Sequence, residues 1–122
     1  MAKILIVDDE KDIRYLLNNI LKQKNISVTL AGSLEEANKI TQFTQPSIVF
    51  LDNHLPDGLG LEYIRTLKET IPGTRVVMIT AHDNATDKEK AFREGADFFI
   101  SKPFAKDKIY HTIEQLNRRS AE

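Results

Sequence analysis

Ile48-Val49-Phe50-Leu51-Asp52, followed by Asn53-His54-Leu55-Pro56-Asp57-Gly58, decides how the rest of the chain reads. Four consecutive apolar residues predict a strand covered on both faces, as at the centre of a parallel sheet. A carboxylate stands where that strand must end, and Pro56, Asp57 and Gly58 supply a turn. In an open α/β sheet, ligands bind just past the carboxyl ends of the central strands. Taken alone, Asp52 reads first as the cap of a turn.

Working outward, Lys3-Ile4-Leu5-Ile6-Val7 is a second continuous apolar run and ends in Asp8-Asp9-Glu10. A helix follows, with Ile13, Leu16, Leu17, Ile20 and Leu21 at three-and-four spacing on one face. Ile26 to Leu30 alternates apolar and polar residues, as an edge strand with a wetter side would. Ser33-Leu34-Glu35-Glu36 is a capping box opening the second helix, which Gln45-Pro46 closes. Leu61, Ile64, Leu67 and Ile71 mark a third helix, stopped by Pro72-Gly73.

Val76-Val77-Met78-Ile79 predicts another buried strand, ending at Thr80. The fourth helix, from about Asp83 to Arg93, has only Ala85, Ala91 and Phe92 to bury, so it is the most weakly held element. Gly95 suits the left-handed cap that stops it. Phe98-Phe99-Ile100 forms the last strand, followed by Ser101-Lys102-Pro103. Ile109, Ile113 and Leu116 place a final helix that frays into Asn117-Arg118-Arg119-Ser120.

Five strands alternating with five helices predict a parallel sheet covered on both faces with right-handed crossovers. Placing the alternating second strand at an edge yields the order 2-1-3-4-5, with its switch point between strands one and three. The fold class is therefore α/β, a flavodoxin-like three-layer sandwich. The 122 residues suffice for one domain over 1–122, with 118–122 read as the start of a linker. An apolar content of 41% against 29% charged residues fits a soluble globular protein, and the net charge of −1 creates no field to hold nucleic acid or an anionic membrane. Cysteine is absent, which removes disulfides and thiolate metal sites. No apolar run approaches the roughly 20 residues of a membrane helix, and no signal peptide opens the chain, so a cytoplasmic location is expected.

This topology delivers Asp8-Asp9, Asp52, Thr80 and Lys102 to one edge of the sheet. A like-charged pair at about 4 Å costs on the order of 4 kcal/mol at an effective dielectric near 20. Either some of these acids hold protons or a cation sits among them, and an all-oxygen site of few protein ligands suits Mg²⁺. With that ion present the edge becomes a receptor for a phosphoryl group, Lys102 and Thr80 meeting its oxygens while Asp52 attacks. Each residue alone has a plainer reading: Asp8 and Asp9 as helix cap and first turn, Thr80 as a turn residue, Lys102 as a solvated lysine. Their joint placement after strands one, three, four and five is what the plainer readings do not supply.

Ile6-Val7-Asp8-Asp9-Glu10, Leu51-Asp52 with Leu55-Pro56-Asp57-Gly58, Thr80-Ala81 and Lys102-Pro103-Phe104 together resemble the receiver domains of two-component response regulators, along essentially the whole chain. The resemblance implies a phosphoacceptor switch rather than an enzyme. Asp52 resembles the residue phosphorylated by a kinase phosphohistidine; Asp9 the direct Mg²⁺ ligand; Asp8 the ligand acting through water. Asp52 and the backbone carbonyl of His54 would complete the protein's share of that coordination. Lys102 resembles the phosphate-pairing lysine, before a cis Lys102-Pro103 bond. Thr80 and Phe99 resemble the switch pair, moving the face built from the fourth helix, last strand and last helix. Implied partners are a sensor histidine kinase or phosphotransfer protein, an output domain or protein partner, and a second copy through that face.

Departures from the family pattern are Phe99, where Tyr is common, and Leu59, where an acidic or small residue is commoner. His54 and His82 occupy positions, two beyond Asp52 and Thr80, whose side chains tune phosphoryl lifetime in that family. The competing reading is a haloacid-dehalogenase-like phosphatase, which also uses a strand-end Asp with Mg²⁺. It wants a second Asp two residues later, where this chain has His54. A flavin-binding module shares the strand order, but Asp8-Asp9-Glu10 would repel its phosphate.

Overall fold

Apolar runs such as Leu5-Ile6-Val7 and Val49-Phe50-Leu51 point side chains alternately to opposite faces, so the sheet they form must be covered on both sides. A computed structural model of the chain describes residues 2–22, 26–82 and 84–121, and the side chains of all of these but 2 and 118–121. Five parallel strands, β1 (Ala2–Val7), β2 (Ile26–Ala31), β3 (Ile48–Asp52), β4 (Arg75–Thr80) and β5 (Phe98–Ser101), lie in the order β2-β1-β3-β4-β5. The helices are α1 (Lys11–Leu21), α2 (Leu34–Thr41), α3 (Gly60–Thr70), α4 (Ala85–Glu94) and α5 (Lys106–Ala121). This is the expected flavodoxin-like α/β sandwich, with the alternating strand β2 at an edge.

The core divides according to the pleat. Leu5, Val7, Val49, Leu51, Val76 and Met78 face one way and pack with Leu61, Ile64 and Leu67 of α3, Ala37 of α2 and Ala91 of α4. Ile4, Ile6, Phe50, Val77, Ile79 and Ile100 face the other way, against Leu17, Ile20 and Leu21 of α1 and Ile109 and Leu116 of α5. Each of these larger side chains contributes roughly 1.5–3 kcal/mol by leaving water. All five residues of β3 are buried, Asp52 included.

Three expectations need correction. Leu16 is 45% exposed, because it lies about 100° around the helix axis from Leu17 and falls off the stripe that meets the sheet. In α4 only Ala91 is buried, while Ala85 and Phe92 face solvent, so this helix is held even more sparsely than its sequence indicates. The last helix continues through Ala121 instead of fraying at Asn117. Asp83, the expected start of the fourth helix, lies outside the described residues; Asn84 is the N-cap, accepting from the Asp87 amide at 2.8 Å. Gly95 takes the left-handed cap at φ 118°.

The segment after β3 is more ordered than a simple turn. His54–Leu55 and Gly58–Leu59 pair as a short antiparallel hairpin around Pro56 and Asp57. A Cβ at Gly60 would collide with the backbone carbonyl of Asp52, so glycine lets α3 start directly against the end of β3.

Candidate functional site

Because all five strands are parallel, their carboxyl ends share one edge, and the chain places its charged residues there. Asp8 follows β1, and its amide donates to the Ala31 carbonyl at the end of β2 (3.0 Å). Arg14 of α1 donates to the Asp8 carbonyl at 2.7 Å, and Asp8 Oδ1 accepts from the Glu10 amide at 2.8 Å. Asp52 closes β3, and its Oδ1 accepts from the Asn53 amide at 2.9 Å. Lys102 follows β5, its amide donating to the Thr80 carbonyl at 2.9 Å. The Lys102-Pro103 peptide is cis.

Asp8, Asp9, Glu10 and Asp52 each offer a carboxylate oxygen, and these atoms lie within 4.8 Å of one another. Asp8 and Asp52 are 2% and 4% exposed, whereas Asp9 and Glu10 face solvent. The Lys102 ammonium enters this group, 2.9 Å from Asp8 Oδ2, 3.0 Å from Glu10 Oε1 and 3.6 Å from Asp52 Oδ1. Burial and then the neighbouring Asp8 charge push the Asp52 carboxyl up to about 6, against the pull of Lys102. Burial also raises Asp8, with Lys102 opposing. Burial works against the charged form of Lys102, but its hydrogen bonds to Asp8 and Glu10 and the charge of Asp52 outweigh that, so its pKa is raised.

Four carboxylates therefore cluster here, three of them on one ammonium, and the excess negative charge is a receptor for a cation. The donors are all hard oxygens, which favours Mg²⁺ or Ca²⁺ over softer metals. Two of the acids are buried and two open to solvent, so an ion here would keep water on one side and leave room for an anionic ligand. The donor set fits Mg²⁺.

The other expected residues lie around this group. In the β3–β4 register Asp52 stands beside Ile79, so Thr80 comes one residue beyond it. Thr80 is buried, and its hydroxyl accepts from the His82 amide at 3.1 Å. Phe99 is half-buried against the core, paired in register with Met78, and Lys88 of α4 lies 6.0 Å over its ring. His54 and His82 are exposed, yet their rings meet with centroids 4.0 Å apart, bridging the segments after β3 and β4.

Three residues of this edge were not assigned parts by sequence reasoning. Glu10 sits in the Asp8-Asp9-Glu10 run but emerges as a partner of Lys102 only in three dimensions. Asn53 is buried and caps α3, its Oδ1 accepting from the Leu61 amide at 3.0 Å while its carbonyl accepts from Gly60 at 2.8 Å. Asp57 accepts from the amides of Leu34 and Glu35 at the start of α2, both at 2.9 Å. A buried Asn after a strand and a lone Asp in a turn carry no sequence signal for such distant partners.

Comparison with known proteins accords with this architecture. The response regulator receiver domain family matches residues 4–114. The alkaline phosphatase synthesis transcriptional regulatory protein PhoP of Bacillus subtilis is 34% identical over 118 residues, 97% of this chain and 49% of that protein. The KDP operon transcriptional regulatory protein KdpE of Escherichia coli is 33% identical over 121 residues, 98% of this chain and 52% of that protein. The chain thus spans about half the length of these regulators. A two-component response regulator from Clostridium difficile superposes with a TM-score of 0.94 at 27% identity, covering 100% of both chains. Among the described residues, no helix is long and apolar enough to cross a membrane. With its strand order, its acidic edge and a family match over nearly its whole length, the chain belongs to the receiver domains of two-component response regulators.

Proposed function

We propose that this receiver domain is an Mg²⁺-dependent phosphoacceptor that takes a phosphoryl group onto Asp52. The observation that carries the reading is the charge imbalance at the sheet edge: four carboxylates with oxygens within 4.8 Å of one another, three of which pair with the same Lys102 ammonium. Asp8, Asp9, Asp52 and the backbone carbonyl of His54 would hold the ion. When bound, Mg²⁺ neutralises charge that would otherwise repel an incoming phosphate.

A carboxylate oxygen of Asp52 attacks phosphorus in line. The new O–P bond forms as the N–P bond of a kinase phosphohistidine breaks, and the imidazole leaves with that electron pair. Lys102 exchanges its carboxylate partners for phosphoryl oxygens, a charge-assisted contact of the same kind. The Thr80 hydroxyl leaves the His82 amide to donate to the phosphoryl group, and the half-buried Phe99 turns further inward. His54 and His82, in ring contact at the mouth, limit the approach of hydrolytic water and so tune the lifetime.

The output is a shift of the face formed by α4, β5 and α5. To carry the population from 1:99 to 99:1, phosphorylation must favour the active state by about 5.5 kcal/mol. A helix with one buried side chain, as α4 is, offers little resistance to such a shift. Residues 1–122 act as one receiver unit, with 118–122 leading into a linker. That the matched regulators are about twice as long supports an output domain or protein partner, and the same face serves for pairing with a second copy.

The test is labelling with acetyl phosphate. In the presence of Mg²⁺, mass spectrometry should find one base-labile adduct on Asp52, absent after chelation and absent from Asp52→Asn. An adduct that survives that substitution, or a parent protein that never labels, overturns the proposal.

A further inference from the structure

The hairpin that presents His54 is small. Its two strands are two residues each, and an isolated pair of that size has no stability of its own. Its base is pinned to α3 through Asn53, by way of the Leu61 and Gly60 amides. Its tip needs a second anchor, and the structure places one on the other side, at α2.

The Asp57 carboxylate forks across two successive amides there, Oδ1 accepting from Leu34 and Oδ2 from Glu35, each at 2.9 Å. These contacts link residues 23 and 22 positions apart. Local capping already exists at this helix end: the Ser33 hydroxyl accepts from the Glu36 amide at 3.1 Å, and the Glu36 carboxylate accepts from the Gly32 amide at 2.9 Å. Asp57 accepts from two further amides of this first turn, which the local pair does not reach. A second observation shows the tip seated on the same residue, since a Cβ at Gly58 would stand 3.0 Å from Leu34 Cδ1. The two backbone amides hold the Asp57 carboxyl below its ordinary range, so it remains an anion at the positive end of the helix dipole.

We propose that Asp57 is a positioning residue for metal binding: by tying the hairpin tip to the start of α2, it holds the His54 carbonyl where the ion will need it. The inference rests on the reading of that carbonyl as an Mg²⁺ ligand. Asp57 touches neither the ion nor the phosphoryl group. Its part is preorganisation, so that ordering the hairpin is not charged against binding. The segment between Asp52 and Gly60 is then a bracket with two feet, Asn53 on α3 and Asp57 on α2.

The experiment titrates Mg²⁺ into the full chain and follows backbone amide shifts at Asp8, Asp9 and Asn53 by NMR. Asp57→Ala should weaken Mg²⁺ binding by about tenfold, the lower end of the effect of removing a support behind a metal ligand. Ser33→Ala is the control, because it removes a cap from the same helix end yet leaves the hairpin tied. It should keep the Mg²⁺ dissociation constant within about twofold of the parent, well short of the shift expected for a lost support. Asp57→Asn, which retains one acceptor oxygen, should fall between parent and Asp57→Ala, and it carries the test if the alanine variant does not fold.

Unchanged affinity in both Asp57 variants overturns the proposal. So does equal weakening by Ser33→Ala, which would assign the effect to α2 stability. A parent that shows no Mg²⁺-dependent shifts at the acidic residues would instead sink the proposed function itself.

Discussion

The two ends of the sheet each gather carboxylates and lysine, and they do opposite things with them. At the edge where β4 and β5 begin, Asp97 receives Lys68 at 2.7 Å, Arg75 at 3.4 Å and the Val76 amide at 2.9 Å. One acid meets two cations and a backbone donor, and Lys68 spends a further proton on the Thr74 carbonyl at 2.9 Å. At the opposite edge four acids gather, and three of them share one lysine. The site acids follow β1 and end β3, with Lys102 arriving from the end of β5, so the two clusters sit at opposite ends of one parallel sheet and differ in how their charges are matched. The Asp97 cluster is balanced in the sense that its acid is fully partnered, and such a cluster holds the fold together. An imbalanced one is stable only when something arrives, and that is how a binding site is told from a structural ion pair.

The strongest way to break this contrast is at the balanced end. Asp97→Ala strands two cations and an amide, and should cost about 2–4 kcal/mol in urea unfolding. That cost should be the same with Mg²⁺ or with a chelator. A penalty that responded to the ion would mean the two edges are coupled and the contrast is false.

The site edge should respond with the opposite sign. The Asp52 carboxyl is raised on folding from 3.8 to about 6. Because the folded pKa is the higher, the native state holds this proton more tightly, and stability falls as pH rises between those values. The penalty levels off above about pH 6, so Asp52→Asn should be more stable than the parent by about 3 kcal/mol at pH 7 without divalent ions. The gain should vanish below about pH 4, where Asp52 is protonated in both states. It should also shrink when Mg²⁺ stabilises the parent. Thermal unfolding from acid to neutral pH, with and without Mg²⁺, checks all three statements; a destabilised variant at pH 7 would place Asp52 among the balanced acids.

How far this contrast could be read beforehand depended on whether strand topology alone brings the residues together. The strands were legible because runs such as Val49-Phe50-Leu51 have one physical explanation, and the strand order followed from the alternation in Ile26 to Leu30. The acidic edge was legible because parallel strands must end together, which turns Asp8, Asp52 and Lys102 into neighbours by topology alone. What escaped was any pairing between distant residues that the strand topology does not itself impose. Lys102 and Glu10 are 92 residues apart, and Asp57 has the appearance of an ordinary turn residue until α2 is placed beside it. The exposure of Phe92 escaped for a related reason, since an aromatic in a thinly apolar helix looks like an anchor until the surface it would need turns out to be elsewhere.

The smallest expected effect sharpens the contrast most finely, because α4 runs from one edge to the other. Its start lies on the site side, beyond Thr80, where Asn84 caps the Asp87 amide and Ala85 faces solvent. Its end lies on the balanced side: Gly95 and Ala96 donate back to the helix, Glu94 pairs with Arg65 at 3.0 Å, and Asp97 follows at once. Asn84→Ala removes a cap worth about 1 kcal/mol, which barely moves global unfolding but acts directly on the loose end. Hydrogen exchange should therefore quicken at Lys88 and Glu89 and stay near parental rates at Phe92 and Arg93. A uniform increase along the helix would show α4 opening as one unit, in which case the anchor at Asp97 does not reach back into it. A graded increase would make the site-facing turns of α4 the part that phosphorylation can move at least cost, with the far end serving as the hinge.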